Sequence, residues 1–238
     1  VVTAPNATTV KSYQRIGGCI GYLLYSECDG ATNYADMNIL DVPLTNGGGF
    51  RIGGVVGYMN DVDGSPIGGI LKNATNAKDA IIFISETLKA KSSMIQAGAV
   101  LGCCEKHVFL TNLTNEGRII NAGVPNSAVF GGVVGRSYSS SVMTNLVNKG
   151  TLEVADNAPT PYALGGILGH AATTGGTSID GATFEGTIKI GKNQTYDSAY
   201  NVGLFVGSAY VDNNTYKNFV VSEPANYVVL YDTPITVT

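Results

Sequence analysis

The sequence predicts an all-β fold: a β-helix-like repeat β-solenoid of about six irregular coils with strand-like tails. Three observations carry this expectation. A glycine phrase recurs six times, an Asn-rich strand–turn–strand phrase follows most of its copies, and helix signals are almost absent. Self-similarity at a period of a few tens of residues marks stacked supersecondary units, each burying the face of its neighbour.

The glycine phrases are "IGGCIGY" from Ile16, "IGGVVGY" from Ile52, "AGAVLGC" from Ala97, "FGGVVGR" from Phe130, "LGGILGH" from Leu164 and "VGLFVGS" from Val202. Their first glycines are Gly17, Gly53, Gly98, Gly131, Gly165 and Gly203, spaced 33 to 45 residues apart. Read as one strand, "RIGGVVGY" places Ile52, Gly54, Val56 and Tyr58 on one face and Gly53, Val55 and Gly57 on the other. Glycine inside a strand is explained by close approach of another backbone. Equivalent strands are therefore expected to stack in register as parallel sheets running the length of the molecule.

The second phrase reads "LKNATNAKDAIIFI" from Leu71, "LTNLTNEGRII" from Leu110, "MTNLVNKGTLEV" from Met143 and "IDGATFEGTIKI" from Ile179. Each is a strand, a tight turn at N-x-G or E-G, and a return strand, with Asn and Gly supplying left-handed turn conformations. Stacking predicts Asn73, Asn112 and Asn145 one above another near a turn. The segment Ser85 to Gly98 reads as an insertion holding one or two helical turns capped by Ser85. One elongated domain, 1–238, is expected, with an N-terminal tail at 1–13, repeats at 14–222 and a strand-like C-terminal tail at 223–238. Those tails either fold back as caps or pair with a neighbouring subunit.

The G-G-[IV]-[VL]-G phrase followed by T-N-x-x-N-x-G-x-[IL] resembles the GLUG-type repeats of bacterial cell-surface and adhesin-like proteins, over roughly Ile16 to Val221. Copies one, three and six depart from the pattern: Ala99 or Leu204 replaces the second glycine, and no clear Asn phrase follows the first or last copy. The resemblance implies a β-solenoid at a surface with an adhesive or structural role. It carries over no catalytic residue.

Composition narrows the function. Only 13% of residues are charged, the net charge is −4, and no Lys/Arg run exists to neutralise phosphates, which argues against nucleic-acid binding. No apolar stretch approaches the roughly 18 residues of a spanning helix, so no membrane span is expected. The start "VVTAPNATTV" lacks a signal-peptide pattern and reads as an already processed terminus. Low charge with abundant Thr, Ser, Asn and Tyr suits an extracellular or cell-surface protein. The expected function is a non-enzymatic structural or adhesive surface protein with a glycan or host-surface ligand. One alternative is a filament subunit that homopolymerises by strand exchange through its terminal strands; another is a glycan-binding or glycan-cleaving β-helix.

A phosphate-loop reading of the glycine phrase fails, because no Lys and no helix follow it. His170 occupies a repeat slot shared with Tyr22, Tyr58, Cys103, Arg136 and Ser208, read as a solvent or loop position. Cys103, Cys104 and His107 lack a second half-site for zinc. Asp61 and Asp63 resemble the first half of a calcium loop, but the later bidentate Glu is missing, and the segment reads as a turn. No metal, cofactor or catalytic set is expected, because the carboxylates are scattered singly. Cys19, Cys28, Cys103 and Cys104 are disulfide candidates, either joined between the two close pairs or as a Cys19–Cys28 bridge with the others free. Five N-x-T sequons, at Asn6, Asn73, Asn112, Asn193 and Asn213, are glycosylation candidates.

Overall fold

The computed structural model describes residues 13–40, 49–61, 68–85, 94–123, 128–159, 161–172, 175–192, 201–210 and 213–229. Among them every regular element is a strand, and the strands stack as a parallel β-solenoid of six rungs. Four sheets run along the axis, here numbered I to IV in the order each rung visits them. In the second rung these are Gly49–Gly53, Val56–Asn60, Gly69–Asn76 and Ile81–Ile84. Sheets I, II and IV hold one strand from every rung, and sheet III does so with the first rung split into Glu27–Asp29 and Thr32–Asn33.

Register is strict. Gly17, Gly53, Gly98, Gly131, Gly165 and Gly203 form one column of sheet I, as the sequence predicts. Two apolar cores result. One joins sheets I and IV through Ile52, Phe130, Ile82, Ile119 and Leu152; the other joins sheets II and III through Val56, Leu101, Leu71, Leu110 and Met143. Sheets I and II meet with no side chains between them at their glycines. A Cβ built on Gly53 would lie 2.8 Å from the Gly102 nitrogen, and one on Gly57 2.6 Å from the Ile16 nitrogen. The layer order is therefore IV, I, II, III, an inner arch wrapped by an outer one.

The glycine phrase is not one strand. Sheet I strands end at the first glycine and sheet II strands begin after a two-residue corner, Gly54 and Val55 in the second rung. A Cβ on Gly54 would fall 2.1 Å from the Ala99 carbonyl oxygen of the next rung, so the second glycine makes room at the corner. Ala99 and Leu204 replace it by placing their side chains in or against the core between sheets I and IV.

The left-handed residues also sit elsewhere than expected. Gly30, Asn73, Asn112, Asn145, Gly181 and Asn218, with φ of 80, 54, 55, 54, 80 and 55°, form one column within sheet III, three residues before the turns. Only Gly and Asn stand in that column, the residues that adopt this conformation most readily. The kink resets the strand's alternation: Leu110 and Leu113 are both buried although three apart. The turn glycines instead allow close approach, since a Cβ on Gly150 would lie 1.9 Å from the Gly117 carbonyl oxygen.

Two boundaries change. Tyr13 already belongs to the first strand, and Asn226–Val229 pairs with Thr187–Ile190 as the sixth rung's strand in sheet IV, so these four residues are repeat and not tail. The expected helical turns after Ser85 and the remaining tails, 1–12 and 230–238, lie outside the described residues.

Candidate functional site

Polar side chains inside this fold are organised along the axis. On the outer side of the sheet III kink, Asn73 Nδ2 donates to Asp29 Oδ1 at 2.7 Å, Asn112 Nδ2 to Asn73 Oδ1 at 3.0 Å, and Asn145 Nδ2 to Asn112 Oδ1 at 3.2 Å. The predicted stack of these three asparagines is present. It ends at Gly181 and restarts where Asn218 Nδ2 donates to Asp180 Oδ1 at 2.6 Å.

A second, buried amide ladder closes the outer arch. Asn33, Asn76 and Asn115 each donate through Nδ2 to the Oδ1 of the next member, ending at Asn148, at 2.9, 3.1 and 2.9 Å. The same oxygens take turn amides: Gly117 N–H donates to Asn115 Oδ1 and Gly150 N–H to Asn148 Oδ1, both at 3.0 Å. Asn148 Nδ2 finishes on the Gly166 carbonyl at 2.7 Å, and Phe184 takes the column in the fifth rung.

The most chemically varied cluster lies between sheets I and II, next to the glycine columns. Two residues before each first glycine stand Arg15, Arg51, Gln96, Val129, Ala163 and Asn201; facing them is the column Tyr22, Tyr58, Cys103, Arg136, His170 and Ser208. The expectation that this second column is a solvent or loop slot is wrong. Tyr58, Cys103, Arg136 and His170 are 3, 0, 7 and 5% exposed, because the two sheets close over them.

Cation–π and ionic contacts hold the seam. The Arg15 guanidinium carbon lies 4.1 Å from the Tyr22 ring centre and that of Arg51 3.8 Å from Tyr58, while the two tyrosine rings stack at 5.1 Å. Arg51 reaches Glu105 at 2.6 Å and the Tyr58 hydroxyl donates to Glu105 at 2.7 Å. Burial and then that carboxylate push the Tyr58 phenol far above its ordinary range. Higher up, Arg136 covers Tyr138 at 4.0 Å and donates to the Met94 sulfur, and Gln96 Nε2 donates to the Tyr138 hydroxyl at 3.3 Å. His170 meets Tyr162 and Tyr210 edge-on at 5.5 and 6.1 Å. Burial, then Arg136, hold it down to a pKa of about 4 against a backbone hydrogen bond at Ser208. It is a neutral imidazole at physiological pH. The Arg and Gln column escaped the sequence reading; its signal was polar or cationic residues two places before a bare glycine.

The other candidates separate. The four thiols are free; Cys19 is exposed, Cys28 half-buried, Cys103 and Cys104 buried. Bridges between the two pairs are ruled out, because the first and third rungs are two steps of about 4.8 Å apart, beyond the reach of a disulfide. Cys19 and Cys28 share the first rung, and the Cys28 thiol is pushed up by burial and then by its neighbours Cys19 and Asp29. Cys104 points into the core while His107 is exposed, so they do not converge. Asp61 is buried, its N–H donating to Asn60 Oδ1 at 2.8 Å, and Asp63 lies outside the described residues. No three His, Cys, Asp or Glu converge on a metal-sized point among the described residues. Asn213 is exposed, Asn73 and Asn112 are tied into the outer ladder, and Asn6 and Asn193 fall outside the description.

No protein-family model matches the chain, and neither a curated protein nor a solved structure does. No helix among the described residues is long and apolar enough to cross a membrane.

Proposed function

We propose that the chain is an extracellular, non-enzymatic structural or adhesive surface protein built of GLUG-type repeats. One observation carries the reading: the chemically capable side chains are bonded from rung to rung. Asn73, Asn115, Arg51, Glu105 and Glu153 each bind a neighbouring rung, which stiffens a rod and ties these polar groups into its structure. The surface offered to a ligand is the outer face of sheet III. There Phe109 and Val142 are 43 and 42% exposed in one column with half-exposed Ile70, beside Thr111 and Thr144. Singly exposed apolar residues are ordinary; this reading assigns the ligand contact to the three that follow one another along a single column.

A glycan-array screen coupled to reducing-end detection tests this. Binding without released sugar is the expected result, weakened by Phe109→Ser. Release of reducing ends would replace this reading with a glycan-cleaving β-helix.

A further inference from the structure

We propose that copies of this protein stack head to tail, the sixth rung of one seating the first rung of the next. This requires only the fold, not the adhesive reading and not an exchange of tails. The sixth-rung face is unfinished among the described residues: Val202, Phe205, Val206, Tyr216 and Phe219 are only partly buried, whereas their counterparts Leu164, Ile167, Leu168, Ile179 and Ala182 are 0 to 1% exposed. The first rung is open in the same way, with Ile16, Ile20, Cys28 and Ala31 partly buried. Among the described residues the strands Asn201–Gly203, Val206–Ala209, Thr215–Val221 and Asn226–Val229 are the last of their sheets, each with a hydrogen-bonding edge facing along the axis.

The molecule contains its own template for such a junction. Between the fourth and fifth rungs, Asp180–Gly181 sits on Asn145, whose Oδ1 lies 2.8 Å from where a Gly181 Cβ would be. Asp180 then starts a new amide ladder. Asp29–Gly30 is the same dipeptide in the same two columns, and Asn218 stands where Asn145 stands. A first rung laid on a sixth rung repeats that contact. Charge and size agree with it. Lys217 lies in the column of Asp29, which inside the molecule already pairs with Lys72 at 3.3 Å, and Tyr216 and Phe219 lie in the columns of the small Cys28 and Ala31. The Leu204 corner is compatible, since the fourth rung stacks over Ala99 at the same corner. Such a joint joins unlike ends and does not close, so it yields rods.

Within one molecule Lys217 and Asp29 are five rung steps apart, about 24 Å at about 4.8 Å per step. Zero-length carbodiimide coupling cannot span that distance, so a Lys217–Asp29 isopeptide reports a second copy. With the full chain, the expected result is this cross-linked peptide in mass spectra, rising with protein concentration. Lys217→Glu should weaken association about fivefold or more in sedimentation, with an unchanged circular dichroism spectrum. A chain that stays monomeric, with Lys217 coupled only to Asp180 of its own fifth rung or to nothing, overturns the proposal. Retained glycan or surface binding by that monomer would leave the adhesive reading standing.

Discussion

Asn115 donates through Nδ2 to Asn148 Oδ1 at 2.9 Å while its own Oδ1 accepts from Asn76 Nδ2 and from the Gly117 amide. One fully buried side chain thus ties three rungs and caps a turn. Asn115→Ala strands partners on both sides, each unsatisfied buried group costing about 1–3 kcal/mol, so a loss of about 3 kcal/mol is expected. Asn112, in the exposed ladder, makes the same kind of bond in water. Asn112→Gly keeps the left-handed backbone and should cost under about 1 kcal/mol. Urea unfolding of both variants checks the contrast; equal losses would show that burial does not set the strength of these ladders.

Glycine columns differ in the same measurable way. A Cβ on Gly102 would lie 2.5 Å from the Gly57 carbonyl oxygen and 2.6 Å from the Ile52 nitrogen, all backbone, so Gly102→Ala forces sheets I and II apart. Gly30 has φ of 80° but nothing within 4 Å of a Cβ. Gly30→Asn should therefore fold with nearly wild-type stability, whereas Gly102→Ala should lose more than about 3 kcal/mol or fail to fold. Expression yield and thermal melting separate the two.

Sequence carried the repeat, the parallel stacking and the outer asparagine column, because each recurs at one slot per copy. It also held a signal that went unread: the Leu110-x-x-Leu113 spacing, three instead of two, is the trace of the left-handed Asn112 between them. The buried Arg–Tyr seam was hidden for a different reason. A slot holding Tyr, Cys, Arg, His and Ser looks permissive, and only the meeting of sheets I and II at their glycines reveals that it is enclosed. Complementarity there runs between Arg51, Tyr58 and Glu105 of different strands, which no single copy displays.

The cysteines should react in an order set by their rungs. Cys19 is exposed, whereas burial pushes the Cys103 thiol well above its usual range and Cys104 up to about 11. Only the thiolate reacts, so native alkylation at pH 8 should label Cys19 first, Cys28 more slowly, and Cys103 and Cys104 only after unfolding. Mild oxidation should join Cys19 to Cys28 alone. Peptide mapping decides this, and any bridge from Cys28 to Cys103 or Cys104 would contradict the stacking of rungs one to three.

His170 makes stability depend on pH. Its folded pKa of about 4 lies below the ordinary value of 6.5, because burial and then Arg136 disfavour the imidazolium. The unfolded chain therefore binds the proton more readily. The neutral ring's contribution is complete above about pH 6.5 and falls away as pH drops toward 4, the folded value. A shift of this size corresponds to at most about 3 kcal/mol. Carboxylates titrate in the same range, so the quantity to measure is the difference between wild type and His170→Gln. Urea midpoints taken from pH 7 to pH 4 should show wild type losing this increment relative to the variant. Parallel curves would mean that His170 is protonated in the folded seam, with a partner to hold its charge.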